Sequence, residues 1–223
     1  MTETTITVRG QHTATFPAEH ATVQLAVNFD GAKRSEVFNQ ASHTADDVRA
    51  QIVTLHNESI GPVITWSSDR VRVWGDRPWN SDGKRMPIVY HANIDFRATF
   101  TDFDALARFL EGVAETAGIN IGSITWELSR ETTESVTAEV RTSAVHDAIA
   151  KAKTYAQALG LSSVTATSIA DQGMLGNQST AAAGGLELVS ARGLMRDGGT
   201  PQLSFTPQDI EVSAIVDAKF IAN

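Results

Sequence analysis

Two hydrophobic periods alternate along this chain, and the places where they change mark its elements. Ile6 and Val8 alternate with Thr5, Thr7 and Arg9, which predicts a strand. Gly10 interrupts it, the chain is extended again from Thr13 to Phe16, and Pro17 marks a turn. A second strand has Ala21, Val23, Leu25, Val27 and Phe29 on one face and Thr22, Gln24, Ala26 and Asn28 on the other; Asp30-Gly31 ends it. The period then lengthens. Val37, Ala41, Ala45, Val48, Ile52 and Leu55 recur at steps of three and four, one stripe of a helix for which Ser35 is the expected N-cap. Asn39, His43, Asp46, Asp47 and Arg49 form its polar face, and Gly61-Pro62 stops it.

Residues 63–74 return to strand, with Val71 and Val73 set against Arg70, Arg72 and Trp74. A loop at 75–87 leads to the clearest alternation in the chain. Ile88, Tyr90, Ala92, Ile94, Phe96, Ala98 and Phe100 lie on one face; Val89, His91, Asn93, Asp95, Arg97 and Thr99 lie on the other. One packed and one wet face is what an antiparallel sheet allows. Asp102 is the expected N-cap of a second helix running through Phe103, Leu106, Leu110 and Val113 to Ala117, with Gly118 at its end. Ile121, Ile124, Trp126 and Leu128 predict a strand bulged near Gly122-Ser123. A third helix is expected from Thr132 or Thr133, with the stripe Val136, Val140, Ala144, Ala148, Ala152, Tyr155 and Leu159; its alanines permit close approach to a neighbour, and Gly160 ends it. Val164, Ala166, Ser168 and Ala170 form a weaker strand, and Ile210 to Phe220 alternate as the last one. Between them, residues 172–206 are rich in Gly and Ala without periodicity, which predicts a flexible loop.

The order β-β-α-β-β-α-β-α-β-β predicts an α+β fold: a mixed or antiparallel sheet of long strands with three helices on one face, in a single domain over residues 1–223. Composition narrows the chemistry. With no Cys, disulfides, thiolate nucleophiles and Cys-ligated metals are excluded. A net charge of −8 argues against nucleic acid and anionic membrane as partners. The first ten residues have neither a basic nor an apolar segment, so as written the chain is expected to be cytoplasmic, and exported only if a leader has been trimmed from it. No apolar run approaches the ~20 residues that span a bilayer.

Several short motifs in this order resemble the SIMPL domain family over nearly the whole chain. They are Val8-Arg9-Gly10, Pro17 and Ala21-Thr22-Val23; Tyr90-His91-Ala92-Asn93, preceded by Val89 where the family often has Gly; Ala156-Gln157-Ala158-Leu159-Gly160-Leu161; and Ile210-Glu211-Val212-Ser213-Ala214. The resemblance implies an α+β fold, a tendency to form homo-oligomers (ring-like in some relatives) and no agreed enzymatic activity. Bacterial relatives are commonly exported and some are linked to stress tolerance; a mammalian relative takes part in kinase signalling.

Catalytic signatures are absent: there is no G-x-S-x-G, no P-loop, no G-x-G-x-x-G and no H-E-x-x-H. His43 and Asp47 share a helix face without further ligands. His91 and Asp95 sit about 13 Å apart along one strand, so a shared metal would need a neighbouring strand. Asp76, Asn80 and Asp82-Gly83 gather oxygens in one loop, but the closing position of a calcium loop is apolar. No metal or cofactor is therefore expected. The expected function is a non-enzymatic, self-associating interaction or scaffold protein, with itself and an unidentified protein as partners and stress response as its setting. Trp79, between Pro78 and Asn80, is the expected contact anchor, with Trp74, Lys84 and Arg85 beside it. The alternative is a small-ligand binder or a hydrolase with a dispersed site on the polar face of strand 88–100, at His91, Asp95 and Arg97.

Overall fold

The computed structural model describes residues 3–79, 81, 85–175 and 206–223, and the backbone alone at 188–189 and 192–193. Asn80, Asp82, Gly83, Lys84 and most of the 172–206 loop lie outside the described residues. The elements run β1 (Thr4–Phe16), β2 (His20–Gly31), α1 (Arg34–Leu55), β3 (Val63–Ser68), β4 (Arg72–Asp76), β5 (Val89–Phe100), α2 (Phe103–Ala114), β6 (Ile119–Glu127), α3 (Arg130–Ala158), β7 (Val164–Asp171), β8 (Leu188–Val189), β9 (Arg192–Gly193) and β10 (Ile210–Ala222). The fold is α+β with antiparallel sheets, and the predicted order of long strands and helices holds. The 63–74 segment divides into β3 and β4, both paired with β5. The strands also share themselves between two sheets, because β10 returns to pair β1 rather than joining β2 and β5. Two compact units result, one of residues 1–17, 128–190 and 209–223, the other of residues 18–127 and 191–208.

In the first unit β10 lies between β1 and β7, with β8 beside its start. Ile210, Val212, Ala214, Val216, Ala218, Phe220 and Ala222 are all buried on one face of β10. Against this unit's sheet packs α3, whose buried row is Val136, Val140, Ala144, Ala148, Ala152 and Ala156. The alanines do bring helix and sheet together. A Cβ placed on Gly10 would stand 2.1 Å from the Ala144 carbonyl oxygen and 2.8 Å from the Ala148 Cβ, so only glycine fits. Tyr155 and Leu159 leave the expected stripe, at 55% and 63% exposed, because the buried row continues in steps of four to Ala156. Ser129 caps α3 by accepting from the Thr132 N–H at 3.1 Å, so the helix starts at Arg130, earlier than its threonines suggest.

The second unit holds a six-stranded sheet in the order β3-β5-β2-β6-β9, with β4 also on β5. Large and small residues oppose each other across β2 and β5: Ala21 faces Phe100, Val23 faces Ala98 and Phe29 faces Ala92. The face they bury is covered by α1, through Val37, Ala41, Ala45, Val48 and Ile52, and by α2, through Leu106, Phe109, Leu110 and Val113. Asp102 caps α2 as expected, accepting from the Ala105 N–H at 2.9 Å. Ser35 does not cap α1: Lys33 is the extended N-cap residue without a side-chain bond, which leaves Ser35 inside the first turn. Gly118, at φ +85°, lies past the Glu115 C-cap and turns the chain into β6. The expected bulge is present, since Ile121 pairs Leu25 and Ile124 pairs Val23, leaving Gly122 and Ser123 opposite Gln24 alone. No helix among the described residues is long and apolar enough to cross a membrane.

Candidate functional site

The second face of the six-stranded sheet carries the polar residues of β2, β4 and β5. Register decides which of them meet. Trp74 lies opposite His91 and Arg72 opposite Asn93. The Trp74 and His91 rings stack with centroids 5.4 Å apart and planes 24° from parallel. The His91 Nε2 lies 2.8 Å from Asp76 Oδ1, and both side chains are solvent-accessible. One strand step away, Asn93 is the single buried polar residue among those described. Its amide makes three hydrogen bonds: Oδ1 accepts from Arg72 Nη2 at 2.7 Å, and Nδ2 donates to Asn28 Oδ1 and to Asp95 Oδ1, both at 3.0 Å. Arg72 Nη2 also reaches Asp95 Oδ2 at 3.0 Å. A buried amide with both N–H groups and its oxygen paired holds three strands in one register and orients the Asp95 carboxylate.

Sequence reasoning treated Trp74 and the His91–Asp95 strand as separate candidates; the structure joins them on one surface. His91 and Asp95 find different partners, Asp76 and Arg72, both from β4. The Arg97 side chain stays outside this network, exposed and without a hydrogen bond or ion pair to any described residue. Trp79 is 88% exposed in the segment between β4 and β5. Across that segment Arg77 Nη1 donates to the Met86 carbonyl at 2.6 Å, tying its two limbs together. Arg85 is exposed nearby, and Lys84 lies outside the described residues. His43 and Asp47 pair at 3.2 Å on the open side of α1, both exposed. Among the described residues no three His, Asp or Glu side chains gather as a metal would require.

Sequence reasoning missed a shallow hollow of about 340 Å³ on the same sheet face. It is lined by the short residues Ala26, Ser67 and Gly122 and by the polar side chains of Gln24, Asp69, Asp95, Arg97 and Asn120. Gly122 belongs to the bulge and passes so close to β2 that a Cβ there would stand 3.1 Å from the Gln24 carbonyl oxygen. The signal available beforehand was that bulge, together with the short side chain of Ala26 between Gln24 and Asn28. Asp69 is brought to the hollow by its N–H, which donates to the Asp95 carbonyl at 2.8 Å.

Comparison with known proteins places the chain without assigning it an activity. No curated protein matches it. A family model described as SIMPL, protein of unknown function (DUF541), matches residues 6–220 of the 223. The ordered motifs, the α+β architecture and this match over nearly the full length agree, and the chain belongs to the SIMPL (DUF541) family.

Proposed function

We propose that this protein is a non-enzymatic, self-associating interaction protein whose contact surface is the 75–87 hairpin, with Trp79 as its anchor. The observation that carries this reading is the 88% exposure of Trp79 on a hairpin braced by the Arg77–Met86 bond. An indole held in water forfeits the burial that large aromatics gain in a core, and Trp is enriched among residues that dominate interfaces. Bracing lowers the entropy lost when such a loop is captured. Light scattering at micromolar concentration tests the reading. A mass above the 23.9 kDa of one chain is expected, and Trp79→Ala should weaken assembly by about 2 kcal/mol, roughly 30-fold, while leaving the melting temperature of the dissociated chain unchanged. A monomer mass alone overturns self-association, and an unchanged assembly in Trp79→Ala removes Trp79 as its anchor.

The hollow beside Asp95 and Arg97 favours a second reading, small-ligand binding on the open sheet face. Gln24, Asp69, Asp95, Arg97 and Asn120 place several polar groups about one hollow, and such groups fix a ligand's orientation.

A further inference from the structure

We propose that the hollow on the open face of β2, β5 and β6 takes a small zwitterion carrying one carboxylate and one ammonium group, as a free amino acid does. Arg97 would receive the carboxylate, and Asp95 with Asp69 the ammonium. This rests on the ligand-binding reading above and names the ligand class for that site.

Charge around the hollow selects the class. The Arg97 side chain is a cation with no partner among the described residues, and its planar fork matches a carboxylate. Asp95 stands two residues away on the same strand face, about 7 Å along the backbone. Its two oxygens are held by Arg72 and Asn93 and keep spare lone pairs, so the carboxylate is oriented before a ligand arrives. Asp69 adds a second negative group at the same hollow. A polyanion would meet both aspartates, and a bare cation would meet Arg97. A ligand bearing both charges satisfies each end. Gln24 and Asn120 present amides that both donate and accept, which suits the polar atoms between the two charges.

Size follows from the lining. Leu25 and Phe96 are buried in the core beneath, so they border the hollow with backbone. Ser67 on one side of Asp95 and Arg97, and Ala26 and Gly122 on the other, leave space without an apolar cleft. A compact ligand fits this surface and a large hydrophobic side chain gains nothing from it. The 340 Å³ is at the small end of ligand sites and leaves room for a compact zwitterion.

The test is calorimetric or NMR titration of the full chain with glycine and β-alanine, which space the charges differently, and with acetate and methylammonium as single-charge controls. Saturable binding of at least one zwitterion, tenfold or more tighter than either control, is expected. Arg97→Gln should weaken it at least tenfold; the Arg97 side chain supports nothing else in the described structure, so that variant keeps the wild-type melting temperature. Asp69→Asn should weaken it by a smaller factor, and Ala26→Leu, which fills the hollow, should abolish it. Acetate binding as well as glycine overturns the ligand class while leaving a site. Zwitterion binding that survives both Arg97→Gln and Ala26→Leu overturns the location. Binding by none of the four probes overturns the proposal and the ligand-binding reading with it.

Discussion

Asp147 on α3 accepts a hydrogen bond from the backbone N–H of Gln11 at 2.8 Å, on the outer edge of β1. Lys151, one turn further along the helix, donates to the Arg9 carbonyl at 2.9 Å and to Asp147 at 2.7 Å. Among the described residues β1 pairs with β10 on one side only, so alternate backbone groups on its other side have no strand partner there. An i,i+4 pair of helix side chains thus supplies one donor and one acceptor to an otherwise open edge. Asp147→Ala should cost about 1–2 kcal/mol, by leaving the Gln11 N–H and the Lys151 ammonium without it. Asp147→Asn keeps an acceptor and should cost less than half as much. Urea denaturation of both variants beside the parent checks the order.

Acid should weaken the first unit through two carboxylates. The Lys151 ammonium, and then the Gln11 N–H, hold the Asp147 carboxyl below its usual range. The Arg9 guanidinium holds Asp217 down against partial burial, helped by the Gly173 N–H at 2.7 Å. A carboxyl whose pKa is lower folded than unfolded contributes stability above its unfolded value, near 3.9, and loses it as pH falls through the folded value. The loss should therefore begin below about pH 5. Both groups touch solvent, so screening limits their joint effect to on the order of 1–2 kcal/mol. Unfolding midpoints compared at neutral pH and near pH 3 measure it, and Arg9→Gln should remove the part that belongs to Asp217.

Gly10→Ala should be among the most damaging single-methyl changes available. The new Cβ would sit 2.1 Å from the Ala144 carbonyl oxygen and 2.7 Å from the Ala148 backbone N, and backbone on a long helix cannot move as a side-chain tip can. Overpacking of this kind costs typically 1–3 kcal/mol, and the upper end or beyond is expected here. A fall in melting temperature of many degrees, with no comparable fall for Gly112→Ala, where the nearest atom is 3.9 Å away, is the check.

Asn93→Leu should cost about 1–3 kcal/mol in the second unit, although leucine is the more hydrophobic residue. It removes a buried amide that bonds Arg72, Asn28 and Asp95, leaving the Asn28 side-chain carbonyl oxygen without that donor. Because Asp95 keeps Arg72 but loses one of its two orienting bonds, the same variant should weaken binding of a zwitterion at the hollow. Denaturant titration and glycine titration on one preparation measure both.

Much of this was legible in the chain because it is local. Alternation at Ala21 to Phe29 and at Ala92 to Phe100 assigns the apolar side chains to the core whatever strand lies beside them, although Asn93, expected in water, is buried and Ile88, expected in the core, is exposed. The Asp102 cap, the bulge at Gly122-Ser123 and the alanine row of α3 likewise depend on residues within a few positions of each other, where steric and hydrogen-bonding rules act without tertiary help. Register and partnership are different. Nothing near Trp74 names His91, and nothing near Asp95 names Arg72; those meetings depend on how β4 slides along β5. Nor does the pattern of β10 tell that it pairs β1, some two hundred residues away, and so divides the strands between two sheets. The hollow is the clearest case. It needs Ser67, Asp95 and Arg97, Ala26, and Gly122 to come together from β3, β5, β2 and β6, and only the folded sheet brings these distant segments onto one face.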